Sequence, residues 1–154
     1  MQYKEIKGNL IELALKGNFQ IIAHGANCFC RMKSGIAKQI SEKIPDAVRA
    51  DNETKPGDIT KLGNFTIGSI IVGDKINGII LNLYTQYMYG TDSRKVDYEA
   101  LTLCLRKVNK IYANSTIGLP MIGAGLAGGD WNLISKIIRR ELFNMDVTIV
   151  IYEP

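Results

Sequence analysis

Five apolar runs rich in β-branched residues divide the chain: FQIIA (19 to 23), FTIGSIIV (65 to 72), GIILNLY (78 to 84), STIGLP (115 to 120) and DVTIVIY (146 to 152). They are continuous rather than alternating, which predicts strands buried on both faces, as in a largely parallel sheet. Helical spacing appears between them. Tyr98, Leu101, Leu105, Val108 and Tyr112 recur on one stripe, as do Leu133, Ile134, Ile137, Ile138 and Leu142. A third helix is predicted to begin near Ser34, with Ile36, Ala37, Ile40 and Ile44 on one side. The segment GDKING (73 to 78) predicts the turn of a hairpin between two adjacent strands. Strands alternating with helices place the chain in the α/β class, a mixed and mostly parallel sheet sandwiched between helices.

The 154 residues, 46% hydrophobic and 22% charged, fit a single domain over residues 1 to 154, with no linker, repeat or low-complexity segment. The first residues, MQYKEIKGNL, carry charges throughout and lack the apolar core of a signal peptide. The apolar runs are too short to cross a bilayer, so a cytoplasmic protein with no membrane partner is expected. Three cysteines (Cys28, Cys30, Cys104) and one histidine (His24) suggest neither a disulfide framework nor a zinc site, and neither metal nor cofactor is expected. A formal charge of +4 from scattered lysines and arginines eases binding of an anionic ligand, without the dense basic block that marks nucleic-acid binders.

Within GLPMIGAGLAGGDW (118 to 131), Gly123, Gly125 and Gly128 spell G-x-G-x-x-G. A dinucleotide fingerprint belongs in the first βαβ unit, with an acidic residue about 20 positions later and a second nucleotide-binding half beyond it. Only 26 residues follow Gly128, so that assignment fails on position. Two readings stay open: backbone N–H groups at a helix start that would hold phosphate, or a strand-to-helix turn that needs glycine for positive φ. A second element of the same kind, HGANCFCRMKSGIAKQI (24 to 40), leaves a strand through a small, polar loop and enters a helix at Ser34. Two such helix starts at the carboxyl ends of one sheet would hold a diphosphate between them.

These segments carry a resemblance. KGNL (7 to 10), HGANCFCRMKSGIA (24 to 37), YTQYMYGTDSRKVDYEAL (84 to 101), PMIGAGLAGGDW (120 to 131) and the closing VTIVIY resemble a macrodomain. The likeness is to the branch that holds the terminal ADP-ribose protein glycohydrolase and small ADP-ribose-1″-phosphate phosphatases. It implies a cleft for ADP-ribose or a derivative. Gly35, Ile36 and Ala37 would wrap the diphosphate from one side, and Ile122, Gly123, Ala124, Gly125 and Leu126 would cover it and the distal ribose from the other. Asn27 would hydrogen-bond the distal ribose. Asn9 and Leu10 fall at the adenine position, where Asn9 would accept from the adenine amino group through its carbonyl in place of the usual aspartate.

Two departures bear on the chemistry. The lysine and aspartate of the glycohydrolase mechanism match Gln86 and Ala127 here, and neither is a nucleophile or acid. His24, Asn27 and Asp130 remain as catalytic candidates, with Cys28 and Lys33 in the same loops. His24 is either a general base or a residue that caps buried backbone, and Asp130 either activates water or caps the helix after it. Cys28 is either an activated thiol or an apolar filler. Tyr87, Tyr89 and Arg94 are candidate lid residues, in a stretch that is otherwise a solvated loop ended by the helix cap Asp97. The implied functions are hydrolysis of ADP-ribose-1″-phosphate, removal of ADP-ribose from protein or nucleic acid, or binding without turnover.

Overall fold

The computed structural model describes residues 2 to 90, 92 to 125 and 127 to 153. Six strands form one sheet: β1 (Tyr3–Gly8), β2 (Ile21–Asn27), β3 (Phe65–Val72), β4 (Lys75–Gln86), β5 (Thr116–Leu119) and β6 (Asp146–Tyr152). Their spatial order is β1-β6-β5-β2-β4-β3, parallel throughout except for the antiparallel hairpin β3-β4 at one edge. The α/β class and the mostly parallel sheet match the sequence pattern.

Because side chains alternate across a strand, neighbouring apolar residues serve opposite layers. Ile21, Ala23, Leu81 and Leu83 face a core closed by helices α4 (Tyr98–Ile111) and α5 (Trp131–Glu141), which contribute Leu101, Leu105, Val108, Ile134 and Ile138. Ile22, Ile80 and Val150 face the other core, closed by α1 (Leu10–Leu15), α2 (Gly35–Lys43) and α3 (Pro45–Asn52). The result is a helix-sheet-helix sandwich, and the helical stripes read from the sequence are the faces buried in it.

Three details differ from the sequence pattern. FTIGSIIV is an edge strand, not one buried on both faces: Ile67 and Ile71 are 47% and 53% exposed. Only Gly73 and Asp74 make the hairpin turn, since Val72 already pairs with Lys75. And β2 continues past Ala23 to Asn27, held by pairing with β4 as far as Asn27↔Gln86, so His24 stands in a strand rather than a loop.

Candidate functional site

β5 pairs with β2 only at Ile21 and Ile22 and then diverges, whereas β2 runs on toward Asn27 bonded to β4 alone. This divergence opens a cleft of about 440 Å³ at the carboxyl ends of the strands, within the span of about 300 to 1,000 Å³ common for small-molecule sites. Residues 24 to 27 form its floor, residues 31 to 37 one wall, and Pro120 to Gly123, Gly125 and Ala127 the other, with Gln86, Tyr89 and Gly90 at the end of β4.

The α2 wall presents donors. Ser34 occupies the N-cap, but its hydroxyl makes no capping bond, so the N–H groups of Gly35, Ile36 and Ala37 begin the helix without a side-chain partner. Three other helices are capped through side-chain oxygens, α1 by Asn9, α4 by Asp97 and α5 by Asp130, while α3, which starts at Pro45 behind Ile44, has no side-chain cap either. An uncapped helix start facing a cleft is a ready site for an anion.

The glycine run on the opposite wall answers to two different demands. Gly123 has φ +74, and a Cβ there would stand 2.9 Å from Val96 Cγ2, so turn geometry and packing both require glycine. Gly125 has neither constraint: its φ is not left-handed and, among the described residues other than its chain neighbours, no atom lies within 4 Å of where a Cβ would be. The space beside it is open to the cleft. Ile122 lines the cleft as well, Ala124 does not, and Leu126 lies outside the described residues.

His24 is fully buried. Its Nε2 lies 2.7 Å from Asn82 Oδ1, and the Asn82 amide nitrogen donates in turn to the Ala47 carbonyl and to Thr66 Oγ1. Asn82 therefore fixes the tautomer with the proton on Nε2, leaving a buried Nδ1 without a partner. Burial pushes the imidazole below the usual histidine range, so it stays neutral. His24 is part of the cleft floor, but its side chain has no exposed surface and is tied to Asn82, an arrangement that fits a scaffolding residue better than the expected base or nucleophile.

Asn27 lines the cleft, yet both ends of its amide are used by the loop: Oδ1 accepts from Phe29 N at 2.9 Å and Nδ2 donates to the Arg31 carbonyl at 2.9 Å. Asn9 Oδ1, expected to face adenine, accepts from Ile11 N and Glu12 N as a helix cap, and Leu10 is buried in the core. Asp130 is absent from the cleft lining, and its Oδ1 accepts from Asn132 N at 2.9 Å. Its role is the N-cap. Burial raises the Cys28 thiol, whose Sγ lies 3.6 Å from the Gln86 carbonyl, which makes it filler rather than an activated thiol.

Gln86 and Ala127, at the lysine and aspartate positions, both line the cleft, as does Lys33. Of the lid candidates, Tyr89 lines it, while Tyr87 donates its hydroxyl to the Gly57 carbonyl and the Arg94 guanidinium stacks on Tyr98 at 4.5 Å. A residue not singled out beforehand is Arg31. It lines the cleft, stacks 4.3 Å from the Tyr89 ring centroid and donates to the Tyr89 hydroxyl at 3.0 Å, joining the β2-α2 and β4-α4 loops. Its signals in the sequence were its place just before a helix start and within the run Cys30-Arg31-Met32 ahead of Gly35-Ile36-Ala37. Among the described residues no cluster of three or more His, Cys, Asp or Glu is placed to hold a metal, and no helix is long and apolar enough to cross a membrane.

No family model matches the chain. A 17.5 kDa uncharacterised protein of the tk-vs intergenic region of Enterobacteria phage T4 is 35% identical over 159 aligned positions, covering 100% of this chain and 99% of its own length. A Mycobacterium tuberculosis protein named DNA ADP-ribosyl glycohydrolase is 26% identical over 145 positions; these cover 91% of this chain but only 40% of that larger protein. Among solved structures, the macrodomain of Thermus aquaticus DarG superposes with a TM-score of 0.72 at 20% identity, covering 99% of each chain. Thermosipho africanus DarTG in complex with ADP-ribose gives 0.74 at 17% identity, covering 100% of this chain and 42% of that one.

Proposed function

We propose, from a chain that has the macrodomain fold, that its cleft binds ADP-ribose. One observation supports this reading: the cleft is lined on one side by the start of α2, which has no side-chain cap, and on the other by Gly125, a glycine that the described packing does not require. A diphosphate between Gly35-Ile36-Ala37 and Ile122-Gly123-Ala124-Gly125 would meet backbone donors and a helix dipole on one side and bare backbone on the other. The distal ribose would then lie over the β2 end, near Asn27, and the adenine toward Asn9 and Leu10, where Asn9 keeps only its Nδ2 donor for the base. The T. africanus structure solved with ADP-ribose supports the ligand class.

Turnover is the second part of the proposal. The mycobacterial relative, a DNA ADP-ribosyl glycohydrolase, favours removal of ADP-ribose from a conjugate; hydrolysis of ADP-ribose-1″-phosphate is the other reaction the same cleft would suit. No carboxylate stands among the described cleft-lining residues, and the His24 side chain in the cleft floor is fully buried. Such a reaction here would therefore use a water aligned by backbone groups and substrate phosphate, since Gln86 and Ala127 stand where the glycohydrolase mechanism needs its lysine and aspartate.

Calorimetric titration with ADP-ribose, NAD and AMP tests the binding. Micromolar binding of ADP-ribose with much weaker NAD is expected, since the distal ribose must be free to enter. No binding, or a preference for NAD, overturns the reading. Phosphate release from ADP-ribose-1″-phosphate, compared with release of ADP-ribose from modified DNA, then separates a hydrolase from a domain that only binds.

A further inference from the structure

Behind the cleft wall, the loop that carries Arg31 and Met32 turns at Cys30, whose φ of +58 is uncommon for any residue but glycine. Its Sγ lies 3.3 Å from the Asp51 carbonyl oxygen and 3.4 Å from Thr54 Oγ1. Lys61 donates its Nζ to Thr54 Oγ1 at 2.8 Å and to the Cys30 sulfur at 3.7 Å. The lysine is 8% exposed, and no carboxylate pairs with it among the described residues. Its stem is thus fixed with the amine against the sulfur, at a position that ligand binding does not use. Cys30 is partly exposed, while Cys28 and Cys104 are buried.

We propose that Cys30 and Lys61 form a reversible covalent link, a sulfenamide between Sγ and Nζ, when a hydroperoxide oxidises the protein. In the first step the Cys30 sulfur attacks one peroxide oxygen. The O–O bond breaks, sulfur gives up two electrons to become sulfenic acid, and the other oxygen leaves with the thiol proton, as water when the oxidant is hydrogen peroxide. In the second step Lys61 Nζ displaces the sulfenic hydroxyl. The S–O bond breaks as S–N forms, the hydroxyl leaves as water with one ammonium proton, and a second proton passes to solvent. A dithiol reverses the link by taking up the two electrons' worth of oxidation as its own disulfide. Closing the gap from contact to bond length takes rotation about the lysine torsions. The link ties the cleft loop to the 3₁₀ turn Ile59–Lys61.

Peptide mapping of the intact protein after treatment with hydrogen peroxide and alkylation of free thiols tests this directly. A linked Lys61 resists trypsin, so the expected product joins residues 17 to 31 to residues 50 to 75 with Lys61 uncut, two hydrogens lighter than the sum. Dithiothreitol should restore the separate peptides. Lys61→Arg should abolish the product while leaving Cys30 oxidisable, and Cys28→Ala should keep it. If Cys30 is recovered alkylated or as sulfinic acid while trypsin cuts normally at Lys61, the proposal is overturned. That result comes from the wild-type chain alone and does not depend on whether ADP-ribose binds.

Discussion

His24 and Asn82 are register partners on adjacent parallel strands, and their side chains meet at 2.7 Å with the histidine fully buried. Burial holds the imidazole neutral in the folded protein, against the opposing pull of the Asn82 bond and the Asp51 charge. The unfolded chain takes up that proton near pH 6.5, as an ordinary histidine does at about that value. Acid therefore favours the unfolded state: this contribution is complete above about pH 6.5 and is lost as pH falls below it, by at most about 1.4 kcal/mol per unit for one proton. Urea unfolding at a series of pH values from 7 to 5 should show this slope in the wild type and its disappearance in His24→Gln. Equal slopes in the two proteins would mean that another group is linked.

Tyr84 and Asp51 form the second buried polar pair. The phenol donates to Asp51 Oδ1 at 2.7 Å, and the two residues are 1% and 2% exposed. Tyr84→Phe leaves the carboxylate without that donor, which is expected to destabilise the fold by about 1 to 3 kcal/mol. An unchanged urea midpoint would show that water has replaced the hydroxyl.

Asp130 caps α5 and lies outside the cleft lining. Asp130→Ala should therefore lower stability by about 1 kcal/mol and leave affinity for ADP-ribose unchanged. Calorimetry beside thermal unfolding separates the two effects. A variant of normal stability that no longer binds or turns over substrate would return Asp130 to the site.

The contrast between Asp130 and His24 shows where sequence pattern is informative. A cap is a local relation, read from an aspartate just ahead of a helical stripe, and the structure places Asp97 and Asp130 in that role. The apolar runs of β2, β4, β5 and β6 were legible because burial on two faces leaves a continuous hydrophobic string. β1 escaped notice because, as an edge strand, it exposes Lys4, Glu5 and Lys7; α1 has only six residues, and α3 is largely polar. Of the two helix starts expected to face each other, only that of α2 lines the cleft; the opposite wall is the glycine loop itself, since α5 begins at Trp131 behind its cap Asp130, outside the lining. The fate of His24 was not legible, since its partner Asn82 is 58 residues away, and which layer a strand residue faces is decided by the packed sheet.

Gly123 and Gly125 offer the sharpest test of the cleft, because two glycines of one motif should respond in opposite ways. Gly123→Ala forces a Cβ into the left-handed region and against Val96, so it should destabilise the fold before any question of ligand arises. Gly125→Ala meets no atom of the described residues beyond its chain neighbours within 4 Å and no positive φ, so its unfolding midpoint should match the wild type. If the cleft holds a diphosphate against that backbone, the new methyl group occupies ligand space, and affinity for ADP-ribose should fall at least about tenfold, or about 1.4 kcal/mol. Titration of Gly125→Ala beside its thermal unfolding decides the matter. Wild-type affinity would mean that the ligand does not approach Gly125, and the diphosphate would have to be moved toward the α2 wall alone.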